Sequence, residues 1–340
     1  MLTLAQSVVG AAHQLSRHAS TAALCRELPF SVGAMLLGQP GEAMDILRSG
    51  YSQLSHPGKR LLVPIFSALA CQRLVHRADW LAGFVQEMVG DQLSLYRERD
   101  VGEDGLPCLW YPTESLLPQA PYWESMEQAD GRWAVQEPLF LALLTWANES
   151  LLYLLQLTKG QSVELAEWQE LTVYSMNELL WDTEYGIYLP RDLTCGDTVL
   201  SGSLGGVVPL VAEIASQDQA EAMRSILQAN FLEDTHYFFP TTSVFNQDMQ
   251  PAGVDAGALD PVLNWLLFFG LLRYDFDDLA IHLRNNMLDL VGEYGFYRYY
   301  ESERRSLGNR GIGTGRCITT ASLFAHLMQA PLQHPFYRLG

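Results

Sequence analysis

The sequence predicts an all-α protein, a closed ring of helical hairpins formed as one domain across residues 1–340. Three observations predict it. Helical periodicity dominates the chain, the connections between periodic segments are short, and a turn signature recurs after three of the strongest segments.

Apolar residues recur at three- and four-residue intervals over Ala43–Leu54, Arg60–His76, Trp80–Tyr96, Pro138–Thr158, Val163–Leu180, Val207–Ala215, Ala220–Leu227, Pro261–Tyr274, Leu279–Val291 and Thr320–Leu327. Alternating strand patterns are scarce. Asp260 followed by Pro261 reads as an N-cap with proline at the first helical position. Glu103-Asp104-Gly105-Leu106-Pro107, Thr183-Glu184-Tyr185-Gly186-Ile187-Tyr188 and Gly292-Glu293-Tyr294-Gly295-Phe296-Tyr297 each follow a strong helix. Each combines an acidic turn, a glycine suited to a left-handed helix C-cap, and residues suited to a short extended stub. A repeated helix-hairpin unit follows, and such units stack because one alone cannot bury its apolar stripe. The spacing is too long and irregular for a linear solenoid, so a ring is preferred. No linker or low-complexity segment divides the chain.

With 48% hydrophobic and only 18% charged residues, the chain has much interior to bury. A net charge of −18 speaks against nucleic acid and anionic membranes as partners. The most apolar stretches, Leu139 to Trp146 and Leu263 to Leu272, are too short to span a bilayer. Met1 to Gln14 has no early basic residue, so the expectation is a chain without a secretory signal, located in the cytoplasm. Five scattered cysteines (Cys25, Cys71, Cys108, Cys195, Cys317) read as reduced thiols. The histidines make no metal-ligand pattern, His236 beside Tyr237 and Phe238 being the one to watch, and no Gly-x-Ser-x-Gly elbow occurs. Neither a metal nor a cofactor is expected; the expected partner is a small molecule.

Two stretches resemble the helical-toroid hydrolases of glycoside hydrolase family 63, the group that includes the mannosylglycerate hydrolases. Asp104-Gly105-Leu106-Pro107 through Tyr122-Trp123-Glu124-Ser125 to Trp133 resembles "DGL…PWESGMDNSPRW". Asn264-Trp265-Leu266-Leu267 through Gly295-Phe296-Tyr297-Arg298-Tyr299-Tyr300 resembles "NWLLYRGL…GFYEYFDP", and Leu180-Trp181-Asp182 with Gly186-Ile187-Tyr188 fits "LWDEEYGIYY". The resemblance covers residues 40 to 330 and is strongest from 100. It implies an (α/α)6 barrel and a sugar pocket near Tyr122, Trp123, Glu124, Trp133, Asn264, Trp265 and Tyr299.

It also implies a general acid at the register of Gln128 and a general base at that of Arg298. Inverting hydrolysis needs a protonated carboxyl at the leaving oxygen and a carboxylate that activates water. An amide or a guanidinium exchanges no proton near neutral pH. The candidate replacements are Glu127 and Asp130 on the acid side and Asp255 and Glu301 on the base side; the plainer reading of each is a solvated or capping residue. Asp260 also lies near the base register, with the capping role given above.

Residues 298 to 316 hold Arg298, Arg304, Arg305, Arg310 and Arg316 around Gly308, Gly311, Gly313 and Gly315. Arginines among glycines ahead of a helix suit a carboxylate- or phosphate-bearing ligand, against the plainer reading of a solvated loop. Gln128, Arg298 and Arg316 therefore join the expected substrate-binding residues. Two functions from different classes follow. One is a divergent glycosidase-like enzyme acting on a small polar carbohydrate-like substrate. The other is a toroid without glycosidase chemistry, which binds a ligand or runs a different reaction on a natural-product intermediate.

Overall fold

The computed structural model describes residues 40–54, 56–72, 74, 80–231, 239–242, 257–301, 311–312, 317, 320, 323 and 327. Its helices are α1 (Pro40–Tyr51), α2 (Pro57–Cys71), α3 (Leu81–Arg99), α4 (Pro138–Leu157), α5 (Val163–Leu179), α6 (Gln217–Ile226), α7 (Pro261–Arg273) and α8 (Asp277–Tyr294). Val207–Ala215, expected as an α-helix, is instead a short 3-10 turn over Val208–Ala212. Pro209 near its start and Glu213 at φ 51 just beyond its end leave no room for α-helical propagation. Of the segment expected from Thr320 to Leu327, only Thr320, Leu323 and Leu327 lie among the described residues.

Helices buried on every side alternate with helices buried along one stripe. Every residue of α7 is buried, and most of α2 and α4. By contrast α3 buries the spaced set Leu81, Phe84, Val85, Met88, Val89, Gln92 and Tyr96, and α8 buries Leu279, Leu283, Met287, Leu290 and Val291. A helix apolar all round must be enclosed, whereas a striped one faces water. So α2, α4 and α7 are inner helices, with α3, α5 and α8 outside them. The chain is an (α/α)6 toroid. At 20 residues α4 is long and apolar enough to cross a bilayer, beyond what the shorter run Leu139–Trp146 indicates, yet it is buried in the protein as a core helix.

Aromatic rings lock the inner helices together. Phe66 of α2 stacks on Trp265 of α7 at 5.9 Å, and Trp265 meets Trp146 of α4 at 6.2 Å and Phe269 at 4.8 Å. Burial of each ring contributes roughly 1.5–3 kcal/mol, more than the ~0.5–1.5 kcal/mol from ring geometry, so enclosure dominates. Between α3, α4 and α5 runs a buried polar relay. Gln92 donates to Asn148 (2.8 Å), Asn148 to the Tyr96 hydroxyl (2.8 Å), Tyr96 meets Thr172 (2.9 Å), and Thr172 donates to the Gly105 carbonyl (2.8 Å). The relay leaves these groups satisfied and ties the turn at Gly105 to the core.

The three turn glycines all have positive φ, with Gly105 at 79, Gly186 at 64 and Gly295 at 89. Only Gly295 sits at a helix C-cap; α3 and α5 are capped by Asp100 and Leu180, and their glycines lie further along in the turn. Side chains explain the shift. Asp100 accepts the Asp104 and Gly105 amides at 3.1 and 3.0 Å, and Asp182 accepts those of Glu184 and Tyr185 at 2.8 Å, so each carboxylate organises a longer turn.

The extended stubs are two-residue strands: β1 (Val135–Gln136), β2 (Trp181–Asp182), β3 (Ile187–Tyr188), β4 (Arg191–Asp192), β5 (Asp197–Thr198), β6 (Tyr299–Tyr300) and β7 (Gly311–Ile312). They pair antiparallel as β1-β4-β5, β2-β3 and β6-β7, with Val135 opposite Asp192, Trp181 opposite Tyr188 and Tyr299 opposite Ile312.

Gly270 of α7 is a close interior approach, where a Cβ would sit 2.8 Å from the Leu210 Cβ and 3.0 Å from the Val211 amide nitrogen. In an open helix, glycine to alanine stabilises by about 1 kcal/mol. Here backbone blocks the added methyl, and Gly270→Ala is expected to destabilise by about 1–3 kcal/mol, read as a lower urea midpoint with an unchanged slope.

Candidate functional site

Each of these three inner helices begins with a polar residue followed by proline: His56-Pro57, Glu137-Pro138 and Asp260-Pro261. Proline suits the first helical position because that N–H would be unsatisfied anyway. His56 Nδ1 accepts the Lys59 amide at 3.3 Å, and Asp260 Oδ1 accepts the Val262 amide at 2.7 Å. Burial brings His56 down to about 4, so it is neutral near pH 7. Glu137 makes no cap of this kind. Its carboxylate takes the Ser115 hydroxyl at 2.6 Å and the Tyr122 hydroxyl.

The stubs show that these starts share one end of the ring. Leu109, after α3, bridges Val135, just before α4; Leu259, just before α7, bridges Tyr300, after α8. The start of α2 joins them, since a Cβ on Gly58 would lie 3.1 Å from the Glu114 carbonyl oxygen. Glu114 in turn holds Arg99, at the end of α3, through two 2.8 Å bonds. Burial works against ionisation of Glu114, but Arg99 and the Trp110 amide outweigh it and bring the net shift down.

On the first resembling stretch, Pro121–Ser125 forms a 3-10 turn. Trp123 is buried, donates its indole N–H to the Leu117 carbonyl at 2.9 Å, and meets Trp133 edge-on at 6.2 Å. Tyr122 is buried against Glu137. Glu124, Glu127, Gln128 and Asp130 are exposed. Ala129 and Arg132 exchange backbone bonds of 2.9 and 3.0 Å across Asp130 (φ 52) and Gly131 (φ 75), the geometry of a type I′ hairpin. Asp130 is thereby the turn residue of a surface hairpin. Glu127 donates its amide to Asp192 at 3.0 Å, which anchors the backbone and leaves its carboxylate outside.

On the second stretch, a guanidinium nitrogen of Arg298 lies 3.3 Å from Asp260 Oδ1, and its guanidinium carbon sits 4.5 Å from the Tyr299 ring centroid. The Asp260 side chain is 1% exposed and that of Arg298 34%. Burial raises the Asp260 carboxyl above the usual aspartate range, with Arg298 and the Val262 amide pulling the other way. Its Oδ2 has no hydrogen-bond partner among the described residues. Glu301 is half-buried beside β6. Asp255 and Arg316 lie outside the described residues, as do Arg304, Arg305 and Arg310, so of the arginine cluster only Arg298 is placed.

Two expected contact residues are instead structural in this fold. Trp265 is enclosed by Phe66, Trp146 and Phe269. Asn264 is fully committed to backbone: it accepts the Phe239 amide at 2.9 Å and donates to the carbonyls of Phe239 (2.8 Å) and Asp260 (2.9 Å). Their position one turn inside a helix buried on all sides explains both.

Three extended segments connect the two stretches. A narrow cavity with room for about one water is lined by Tyr122, Glu137, Tyr188, Ser201 and Ser203. Ser203 bridges Thr242, Pro240 bridges Leu259, and Leu259 bridges Tyr300. Glu137, Ser115 and Ser203 escaped the sequence reading. A polar residue before proline at the start of each inner helix was the signal available for Glu137, and Asp-Gly was the signal for the hairpin at Asp130.

Comparison with known proteins places the chain. The family model described as the mannosylglycerate hydrolase MGH1-like glycoside hydrolase domain matches residues 58–312. The chain belongs to that family. It is 28% identical over 183 residues to mannosylglycerate hydrolase MGH1 of Selaginella moellendorffii, covering 53% of this chain and 36% of that protein. It is 26% identical over 263 residues to mannosylglycerate hydrolase of Rubrobacter radiotolerans, covering 61% and 59%. These matches thus span about a third to three-fifths of the relatives' own length. A solved GH63 mannosylglycerate hydrolase of Thermus thermophilus, in complex with Tris and D-glycerate, superposes with a TM-score of 0.64 at 20% identity, covering 85% of this chain and 76% of that one.

Within this family fold, Asp260 gives a pH signature. A carboxyl raised on folding binds protons more tightly in the folded chain, so its contribution to stability falls as pH rises from the ordinary aspartate range through the raised value. Asp260→Asn removes that term. Urea unfolding of both proteins from pH 3.5 to 7 is expected to show the difference moving in favour of the asparagine variant as pH rises.

Proposed function

We propose that this family member acts on a small, carboxylate- or phosphate-bearing, carbohydrate-like substrate at the loop-bearing end of the toroid, as a glycosidase-like hydrolase with non-standard acid and base residues. The observation that carries the reading is the Asp260–Arg298 pair. Buried Asp260 holds the guanidinium from beneath and Tyr299 backs it, which positions a permanent cation at this end of the ring. The N-termini of α2, α4 and α7 add a field of the same sign. The related enzyme solved with D-glycerate supports an anionic ligand.

Hydrolysis with inversion needs a proton donor at the leaving oxygen and a carboxylate to activate water. Glu127, exposed one residue before Gln128, takes the donor role in this reading; Glu301, three residues after Arg298, takes the base role. Glu124 and Gln128 offer hydroxyl contacts from the same exposed stretch, and Tyr122, Trp123 and Trp133 form the wall behind them. A cytoplasmic setting belongs to the same reading and rests on sequence alone.

One observation favours a second reading, in which the ring binds its anion and cleaves no glycosidic bond. Both registers where the resemblance implies a carboxylate hold groups that exchange no proton near neutral pH, and Arg298 is tied to a buried aspartate. Thermal unfolding with D-glycerate, together with hydrolysis of glycosylglycerates and aryl α-glycosides, separates the two. D-glycerate at 100 times its Kd is expected to add about 2.7 kcal/mol, and Arg298→Ala to abolish that gain. Glu127→Gln and Glu301→Gln are each expected to lower turnover by about 100-fold or more. Binding without any turnover leaves the second reading standing; stabilisation that survives Arg298→Ala removes both.

A further inference from the structure

A groove of about 370 Å³ lies between the first turn of α2 and one face of α3. It shares no residue with the site at Asp260 and Arg298, and nothing in the reading above uses it. We propose that this groove is a second binding site, for a neutral sugar of one or two rings.

Its walls argue for that class of ligand. Asp91, Leu95, Glu98 and Arg99 lie along α3 at the three- and four-residue spacing of one helix face, and Arg60 faces them from α2. Asp91 to Arg99 spans eight residues, about 12 Å of helix. The volume falls at the lower end of small-molecule sites, roughly 300–1,000 Å³.

The charges are matched in place. Arg60 pairs with Asp91, its guanidinium carbon 4.7 Å from the Tyr51 ring centroid. Arg99 is held by two 2.8 Å bonds to Glu114 and lies 4.3 Å from the Trp110 ring centroid. Both guanidiniums are thus fixed in orientation with their charge countered, and Glu98 has no ion-pair partner among the described residues. Arg298 differs in that its carboxylate partner is buried beneath it; here the carboxylates of Asp91 and Glu98 line the groove themselves and repel an entering anion. A neutral ligand carries no such cost. Planar guanidinium and carboxylate edges held by other contacts suit adjacent hydroxyls, which donate and accept in pairs. Pro57, Leu61 and Leu95 supply apolar surface for the C–H face of a sugar ring.

The full chain tests this by isothermal titration with maltose, sucrose and trehalose in turn, and with D-glucuronate as the anionic control. At least one neutral disaccharide is expected to bind and D-glucuronate to bind at least tenfold more weakly at the groove. The double variant Arg60→Ala/Asp91→Ala removes both partners together and leaves no lone charge. Ser94→Trp fills the groove and keeps the pair intact. Each is expected to weaken the disaccharide at least tenfold with far-ultraviolet circular dichroism unchanged, whereas Arg298→Ala leaves its affinity as it was. The inference is overturned if no neutral disaccharide binds, if Ser94→Trp binds as wild type does, or if Arg298→Ala removes the binding. The last outcome moves the sugar to the other site and leaves the proposed function untouched.

Discussion

The structure depends on one constraint: α2, α4 and α7 are apolar on all sides and must be enclosed. Phe66, Trp146 and Trp265 meet where these helices touch, and the striped faces of α3, α5 and α8 cover what remains. A helix enclosed along its length can present polar groups only at its ends. The inner helices therefore send their chemistry to one end, where His56, Glu137 and Asp260 precede prolines and the short stubs cross from hairpin to hairpin.

The Asp260–Arg298 pair follows from the same constraint. An aspartate capping a fully buried helix loses water on every side, and its carboxylate is tolerable only with strong partners. Arg298 and the Val262 amide are those partners. Arg298 keeps about a third of its side chain in water, so the pair falls between buried pairs, where losing one member costs about 3–5 kcal/mol, and exposed pairs such as Arg97–Glu164, at ~0–1 kcal/mol. The far end of α7 shows the same logic. Arg273, 2% exposed, is held by Glu149 at 2.9 Å, while burial raises Glu149 and Arg273 opposes the shift.

The candidate residues divide by the kind of signal that marks them. Glycine turns and helical stripes are local, and the positive φ at Gly105, Gly186 and Gly295 follows directly from composition. Asp130 looked chemical because of its register beside Gln128, yet Asp-Gly is itself a local turn code, and that code governs its geometry. Trp265 and Asn264 could not be sorted by pattern: an indole or an amide reads the same in sequence whether it meets a ligand or a neighbouring helix. Ser115, Tyr122 and Glu137 come together over separations of 15 and 22 positions, with no periodicity to announce it.

Sequence by itself determined the helical class, the ring of repeated hairpins, the turn glycines and the family, because each is written in short-range spacing or in motifs that survive divergence. Tertiary structure alone decided which helices are inner, which carboxylates are buried, and that Arg298 is held by Asp260. Those facts depend on enclosure and on contacts between residues 15 to 38 positions apart, where solvent exclusion sets the strength of every charge.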